Sequence, residues 1–193
     1  DVFHSPYWPI PEVVRENPSI KRFLTIHDLY SLLKTPKAER AGHFEQSLLD
    51  SLGDNDFAFC VSEATKKDFL LLKPKFREDH VFVTGESLSD TIAPLSESEK
   101  MARLSSKGLV AGSYFLSVGA IHERKNIPHL IRSFFELVRK RKDKKLKLVV
   151  VGPPLAAYSK TLFQMEEIRS LGDQICFLGF AEDSLLSALY QGA

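Results

Sequence analysis

Apolar residues in this chain fall into short continuous runs and one-sided stripes, in alternation. The runs Lys21–Ile26, Phe57–Val61, His80–Thr84, Tyr114–Val118, Leu146–Val151 and Ile175–Leu178 have the length and composition of strands. The stripes predict helices. In 44–52, Phe44, Leu48, Leu49 and Leu52 share a side, and in 63–72 Phe69, Leu70 and Leu72 turn inward. After Asn126, the residues Leu130, Ile131, Phe134, Phe135 and Val138 share a face. Further helices are predicted over 156–171 and 184–190. Strands alternating with helices predict parallel α/β sheets.

The polar stretches divide this pattern. Asp1 to Pro11 opens on a strand approach and runs into a loop with Pro6, Pro9 and Pro11, a density that excludes helix. Its Tyr7 and Trp8 either cap a core or line a ligand cleft. Ser31 to His43 is polar and reads as a loop or lid. Gly85 to Leu109 is serine-rich, with one short helix near Glu97 to Leu104. The expected organisation is a first lobe over 1–87, an interdomain linker over 88–112 and a second lobe over 113–193.

Composition narrows the classes. The 193 residues are 44% hydrophobic, enough for a real core. The net charge of +1, from 26 basic and 25 acidic residues, argues against a general nucleic-acid binder. The basic run Arg139 to Lys145 lies between a helix and a strand and reads as a solvated helix end. Cys60 and Cys176 sit in apolar runs and read as small buried hydrophobes, not a disulfide or metal pair. Metal-ligand spacings, a long apolar span and a signal peptide are not apparent in the sequence.

Candidate chemistry concentrates after Tyr114–Val118. Gly119 breaks the strand, Arg124 and Lys125 follow side by side, and Asn126 and Pro128 suit a helix start. Two cations and a helix N-terminus then meet at the carboxyl end of a parallel strand, where anions bind. A solvated basic loop is the plain alternative. His27 and Asp28 lie where another strand hands over to a loop. His27 suits a base, a donor or a substrate contact; Asp28 either orients it or caps the next turn. Ser62 and Glu63 read first as a helix cap and a first-turn acid. His4 and His122 are unassigned.

Leu24-Thr-Ile-His-Asp-Leu29, Val61-Ser-Glu-Ala-Thr65 and Ser117-Val-Gly-Ala-Ile-His-Glu-Arg-Lys-Asn126, in that order, resemble the retaining nucleotide-sugar glycosyltransferases of family four. Phe177-Leu-Gly-Phe180 and Ala188 to Ala193 fit the same pattern. The resemblance implies a GT-B fold, with two Rossmann-like lobes, both incomplete here, facing across a cleft. It places the acceptor on the first and the nucleotide sugar on the second. It makes His27 the histidine that contacts the transferring sugar, with Asp28 beside it. Gly119 becomes the glycine that admits the diphosphate, and Arg124 and Lys125 the cations that neutralise it. Ser62, Glu63, Gly152 and Pro153 are candidate donor or cleft contacts. Two departures stand out: Ala120 replaces an arginine usual after the glycine, and Gly85-Glu86 replaces an Asn-Gly.

The expected function is retaining transfer of a hexose, mannose or similar, from a nucleotide-diphosphate sugar to a glycan or lipid-linked acceptor. No metal or other cofactor and no nucleic-acid partner is expected. A cytoplasmic location, with peripheral association at the inner membrane face, is expected. The family's paired donor-site glutamates would lie beyond residue 193 and its first strand before Asp1, so the chain taken alone is expected to be inactive. A non-catalytic nucleotide- or sugar-binding module of the same fold is the alternative. A nicotinamide enzyme is disfavoured by the missing glycine fingerprint.

Overall fold

The computed structural model describes residues 1–34, 43–87, 93–154 and 156–193. The chain divides into two compact units, Asp1–Ser87 and Leu88–Ala193.

The first unit runs β1 (Val2–Ser5), α1 (Glu12–Arg15), β2 (Lys21–Ile26), α2 (Tyr30–Lys34), α3 (Phe44–Asp50), β3 (Phe57–Cys60), α4 (Glu63–Leu72) and β4 (Val81–Val83). Its strands form one parallel sheet in the order β1-β2-β3-β4. Alternation within each strand sorts the side chains. Leu24, Ile26, Ala58 and Cys60 enter a core with Leu48, Leu49, Phe69 and Phe76. A fully buried side chain of this kind contributes about 1.5–3 kcal/mol. The opposite face carries an aromatic ladder, with Phe23 stacked on Phe57 at 4.8 Å and on Phe59 at 5.3 Å. Cys60 lies fully buried, and burial pushes its thiol up to about 11. Both cysteines are free.

The second unit runs α5 (Glu97–Ser105), β5 (Tyr114–Val118), α6 (Ile127–Arg141), β6 (Lys147–Val151), α7 (Ala156–Phe163), α8 (Glu166–Leu171), β7 (Ile175–Gly179) and α9 (Asp183–Gly192). Its parallel sheet has the order β5-β6-β7. Central β6 is apolar on both faces because both are covered. Leu148 and Val150 pack with Ile131, Phe134 and Leu162; Val149 and Val151 pack with Leu104, Ala188 and Leu189. The stripe foreseen on α6 is the face it buries: Ile131 and Phe134 are buried, with Leu130, Phe135 and Val138 packed around them. The basic run lies exposed at the α6 end, where Lys142 takes a left-handed conformation at φ 54°.

Several expectations are corrected. Residues 31–34, expected in a loop, belong to α2, a turn too short to show a repeating stripe. It is started by Asp28, whose Oδ1 accepts the Tyr30 N–H at 3.3 Å, and is pinned by buried Leu32. The remainder of that expected lid, 35–42, lies outside the described residues. The single helix expected over 156–171 is two helices. Met165 takes extended backbone between them, after Met165 N–H bonds back three residues to Leu162. The short helix expected near Glu97 to Leu104 is present as α5, started by a Ser96–Glu99 capping box. Its Leu104 is buried in the second unit's core beside α9.

Candidate functional site

Both candidate constellations lie at carboxyl ends of parallel strands, one on each unit. On the second unit a glycine follows β5 and β6, and β7 ends in one. Gly119 N–H donates to the Val151 carbonyl at 2.9 Å, and Gly152 N–H donates to the Gly179 carbonyl at 2.7 Å. Gly119 and Gly152 have φ of 133° and 135°, which side-chain-bearing residues rarely adopt. A Cβ on Gly152 would overlap the Gly119 carbonyl. The row of glycines therefore leaves bare backbone along this edge of the sheet.

The loop after Gly119 is anchored, not loose. Ile121 is buried, its N–H donates to the Pro153 carbonyl at 3.0 Å, and it bridges to Pro154. Pro153 thus holds the loop through its carbonyl. A 3-10 turn, Glu123–Lys125, follows. His122, unassigned in the sequence, closes it: its Nδ1 accepts the Arg124 N–H at 3.2 Å, and its carbonyl accepts the Lys125 N–H at 2.9 Å. Arg124 and Lys125 are both exposed. The Lys125 side chain lies over Gly119, with Cε 3.4 Å and Nζ 3.7 Å from where a Cβ would stand. An ammonium group and open backbone are therefore brought together.

Asn126 departs from its expected role. It precedes α6 but sits in the left-handed region at φ 47°, and its side chain caps nothing. A side-chain cap needs extended backbone at that position. Instead its carbonyl starts the helix, accepting from the His129 and Leu130 N–H groups at 3.0 and 3.3 Å. Pro128 has no N–H, so α6 offers an anion fewer donors than the sequence implied. What this edge offers an anion is the two exposed cations and the bare glycine backbone.

On the first unit, His27 follows β2. Its Nε2 lies 2.9 Å from the Pro6 carbonyl and its Nδ1 2.7 Å from Glu86 Oε1. Both partners accept, and a neutral ring could donate to only one of them. Protonation of the ring would let it donate to both. The Pro6 bond raises its pKa most, burial opposes this, and Glu86 and the Asp28 charge raise it further. The arrangement favours the protonated ring. With both nitrogens engaged, Asp28 acts on the ring through its charge while capping α2.

Behind His27, Ser62 accepts the Thr65 N–H at 3.1 Å, capping α4, and Thr65 Oγ1 donates to the His27 carbonyl at 3.3 Å. Ser62 thus supports the His27 backbone from beneath. Glu63 is an exposed first-turn acid of α4. In front, Tyr7, His27, Asp28, Phe44, Glu45 and Leu48 line a cavity of about 80 Å3. Sequence reasoning missed Pro6, Phe44, Glu45 and Glu86 here. The available signal was Gly85, whose φ of 67° turns the chain after β4 so that Glu86 reaches back.

The two parallel-sheet α/β units match glycosyltransferase structures of the GT-B class, and this chain has that fold as a fragment. Residues 105–193 match the family model for glycosyl transferases group 1. Among curated proteins, the chain is 24% identical over 195 residues to O-antigen chain mannosyltransferase B of Escherichia coli, covering all of this chain and 49% of that protein. Among solved structures it is similar to sucrose-phosphate synthase from Thermosynechococcus elongatus, at TM-score 0.70 and 18% identity, over 100% of this chain and 48% of that one. It is also similar to Anabaena HepE in complex with UDP and glucose, at TM-score 0.68 and 17% identity, over 86% of this chain and 44% of that one. The chain spans about half the length of these relatives. Among the described residues, no helix is long and apolar enough to cross a membrane.

Proposed function

We propose that this chain is part of a retaining glycosyltransferase of family four that moves a hexose from a nucleotide-diphosphate sugar. The observation that carries the reading is the anchored loop after β5. There Arg124 and Lys125 stand on a turn closed by His122, beside the open backbone of Gly119. The loop binds the donor's diphosphate. As the bond to the sugar breaks, negative charge grows on the leaving phosphate, and these cations stabilise it without a metal ion. Gly152 keeps the approach clear and Pro153 holds the loop in place.

His27 acts on the sugar from the first unit. Positioned by Pro6 and Glu86, its ring contacts the transferring hexose. The sugar is mannose or a similar hexose, a reading supported by the mannosyltransferase relative. The acceptor is a glycan or lipid-linked glycan, and the enzyme works at the inner face of the cell membrane.

A donor screen tests this reading. Thermal shift with UDP, GDP, UDP-glucose and GDP-mannose should raise Tm for one nucleotide series, because a ligand that binds only the folded state stabilises it by mass action. NAD and NADP should give no shift. A shift with a nicotinamide dinucleotide and none with any nucleoside diphosphate would sink the proposal.

A further inference from the structure

The two cations after β5 stand on a segment fixed at both ends. Ile121 is buried, with its N–H on the Pro153 carbonyl, and Ile127 is buried at the start of α6. Between these anchors His122, Arg124, Lys125 and Asn126 are exposed. The shape of the turn between them depends on His122, which accepts twice. Its carbonyl accepts the Lys125 N–H at 2.9 Å, a bond that any residue at this position can make. The second bond needs a side chain: Nδ1 accepts the Arg124 N–H at 3.2 Å. A backbone N–H only donates, so this bond exists only while Nδ1 is bare and the ring proton sits on Nε2.

We propose that His122 is a positioning residue for the donor's diphosphate. In its neutral form it ties the turn that presents Arg124 and Lys125, and a second proton on the ring unties it. The proposal rests on the diphosphate reading above. His122 acts through Arg124 and Lys125 and does not itself hold the ligand.

Protonation puts an N–H on Nδ1, opposite the Arg124 N–H. Two donors then face each other, and the bond is lost. A turn without its tie has to be ordered again when the ligand binds, at a cost in backbone entropy, so the tied turn binds more tightly. Histidine is the side chain whose charge changes between pH 5 and 8, so the tie is present at the upper end of that range and absent at the lower. The same proton adds a positive charge, which pulls the other way. The charged groups beside His122 in the chain are Glu123, Arg124 and Lys125; the segment packed behind the loop, Gly152-Pro153-Pro154, carries none. A third charge on an exposed ring is screened by solvent and salt, whereas the lost bond frees both cations at once. The net effect of acid is weaker diphosphate binding.

Asparagine separates the two roles, because its Oδ1 stands where histidine has Nδ1 and does not titrate. Calorimetric titration of the 193-residue chain with UDP and with GDP, at about pH 8 and about pH 5.5, makes the comparison across the histidine range. At the higher pH, His122→Ala should weaken the diphosphate that binds by about fivefold, the scale of one lost hydrogen bond. His122→Asn should recover most of that loss. At the lower pH the parent should fall to the level of His122→Ala, while His122→Asn keeps its advantage. The ligand's phosphate and His27 titrate in the same range, but alike in all three chains, so chains are compared at each pH. The bare nucleosides should bind all three alike. In the ligand-free parent at the higher pH, the nitrogen shifts of the His122 ring should show Nδ1 bare and Nε2 protonated. The ring shifts and the contrast between parent and His122→Asn carry the test if His122→Ala fails to fold.

Equal diphosphate affinity of the parent and His122→Ala at the higher pH would overturn the role of His122 and leave the loop standing as the diphosphate site. Tighter binding by the parent than by His122→Asn at the lower pH would make His122 a third cation and overturn the proposal. So would a ring proton on Nδ1 in the neutral parent. Absence of diphosphate binding to the folded parent at both pH values would sink the diphosphate reading, and the role of His122 with it.

Discussion

At the residue scale, the decisive observation is that His27 faces two acceptors. The sequence placed it correctly at a strand end but left its role open among base, donor and contact. The partners that raise its pKa, Pro6 and Glu86, are 21 and 59 residues away in the chain. No local pattern links residues so far apart, which is why the pair was not legible. Its consequence for pH has a definite sign. The folded-state pKa of His27 is raised, so folding favours the charged ring. That contribution is complete below the ordinary histidine value of about 6.5 and is lost as pH rises through the folded value. Glu86→Gln removes one of the groups that raise it. The ring should then titrate closer to the ordinary value, as followed by NMR of its ring protons. An unchanged titration would mean that Glu86 does not hold the imidazolium.

At the scale of elements, most strands and helices were legible because their apolar patterns are strong. α4 runs from Glu63 to Leu72 as the stripe and the Ser62 cap predicted. The failures share a cause: backbone hydrogen bonding that side-chain pattern does not encode. Asn126 has the right identity for a cap, but it sits in left-handed backbone and its carbonyl does the work. The break at Met165 leaves the apolar stripe intact while interrupting the helix. The glycines were legible as strand ends, but their mutual contact was not. Gly152→Ala should therefore strain φ at 135° and push against the Gly119 carbonyl. Such strain costs on the order of 1–3 kcal/mol. Chemical denaturation should show that loss, whereas Gly172→Ala, with φ 52° and open space around it, should cost less. Equal effects would mean that the edge of the sheet yields and the glycine row is not needed.

At the scale of the molecule, each unit carries its own core and its own candidate site. The fold class was legible from alternation alone, and the structure has the two parallel sheets that alternation predicts. Assigning the polar stretch after Gly85 was harder. A capping box and a single buried leucine bind α5 to the second unit, and neither stands out among the serines. The central claim of the proposed function is that the loop after β5 holds a diphosphate through two cations. Charge-assisted bonds contribute roughly 1.5–3 kcal/mol each. The most direct measurement is calorimetric titration of UDP, GDP and their nucleosides against the parent chain and the Arg124→Ala, Lys125→Ala double variant. The account predicts at least about tenfold weaker diphosphate binding, a smaller loss for the nucleoside, and a difference that shrinks in high salt. Unchanged diphosphate affinity, or equal loss for diphosphate and nucleoside, would contradict it.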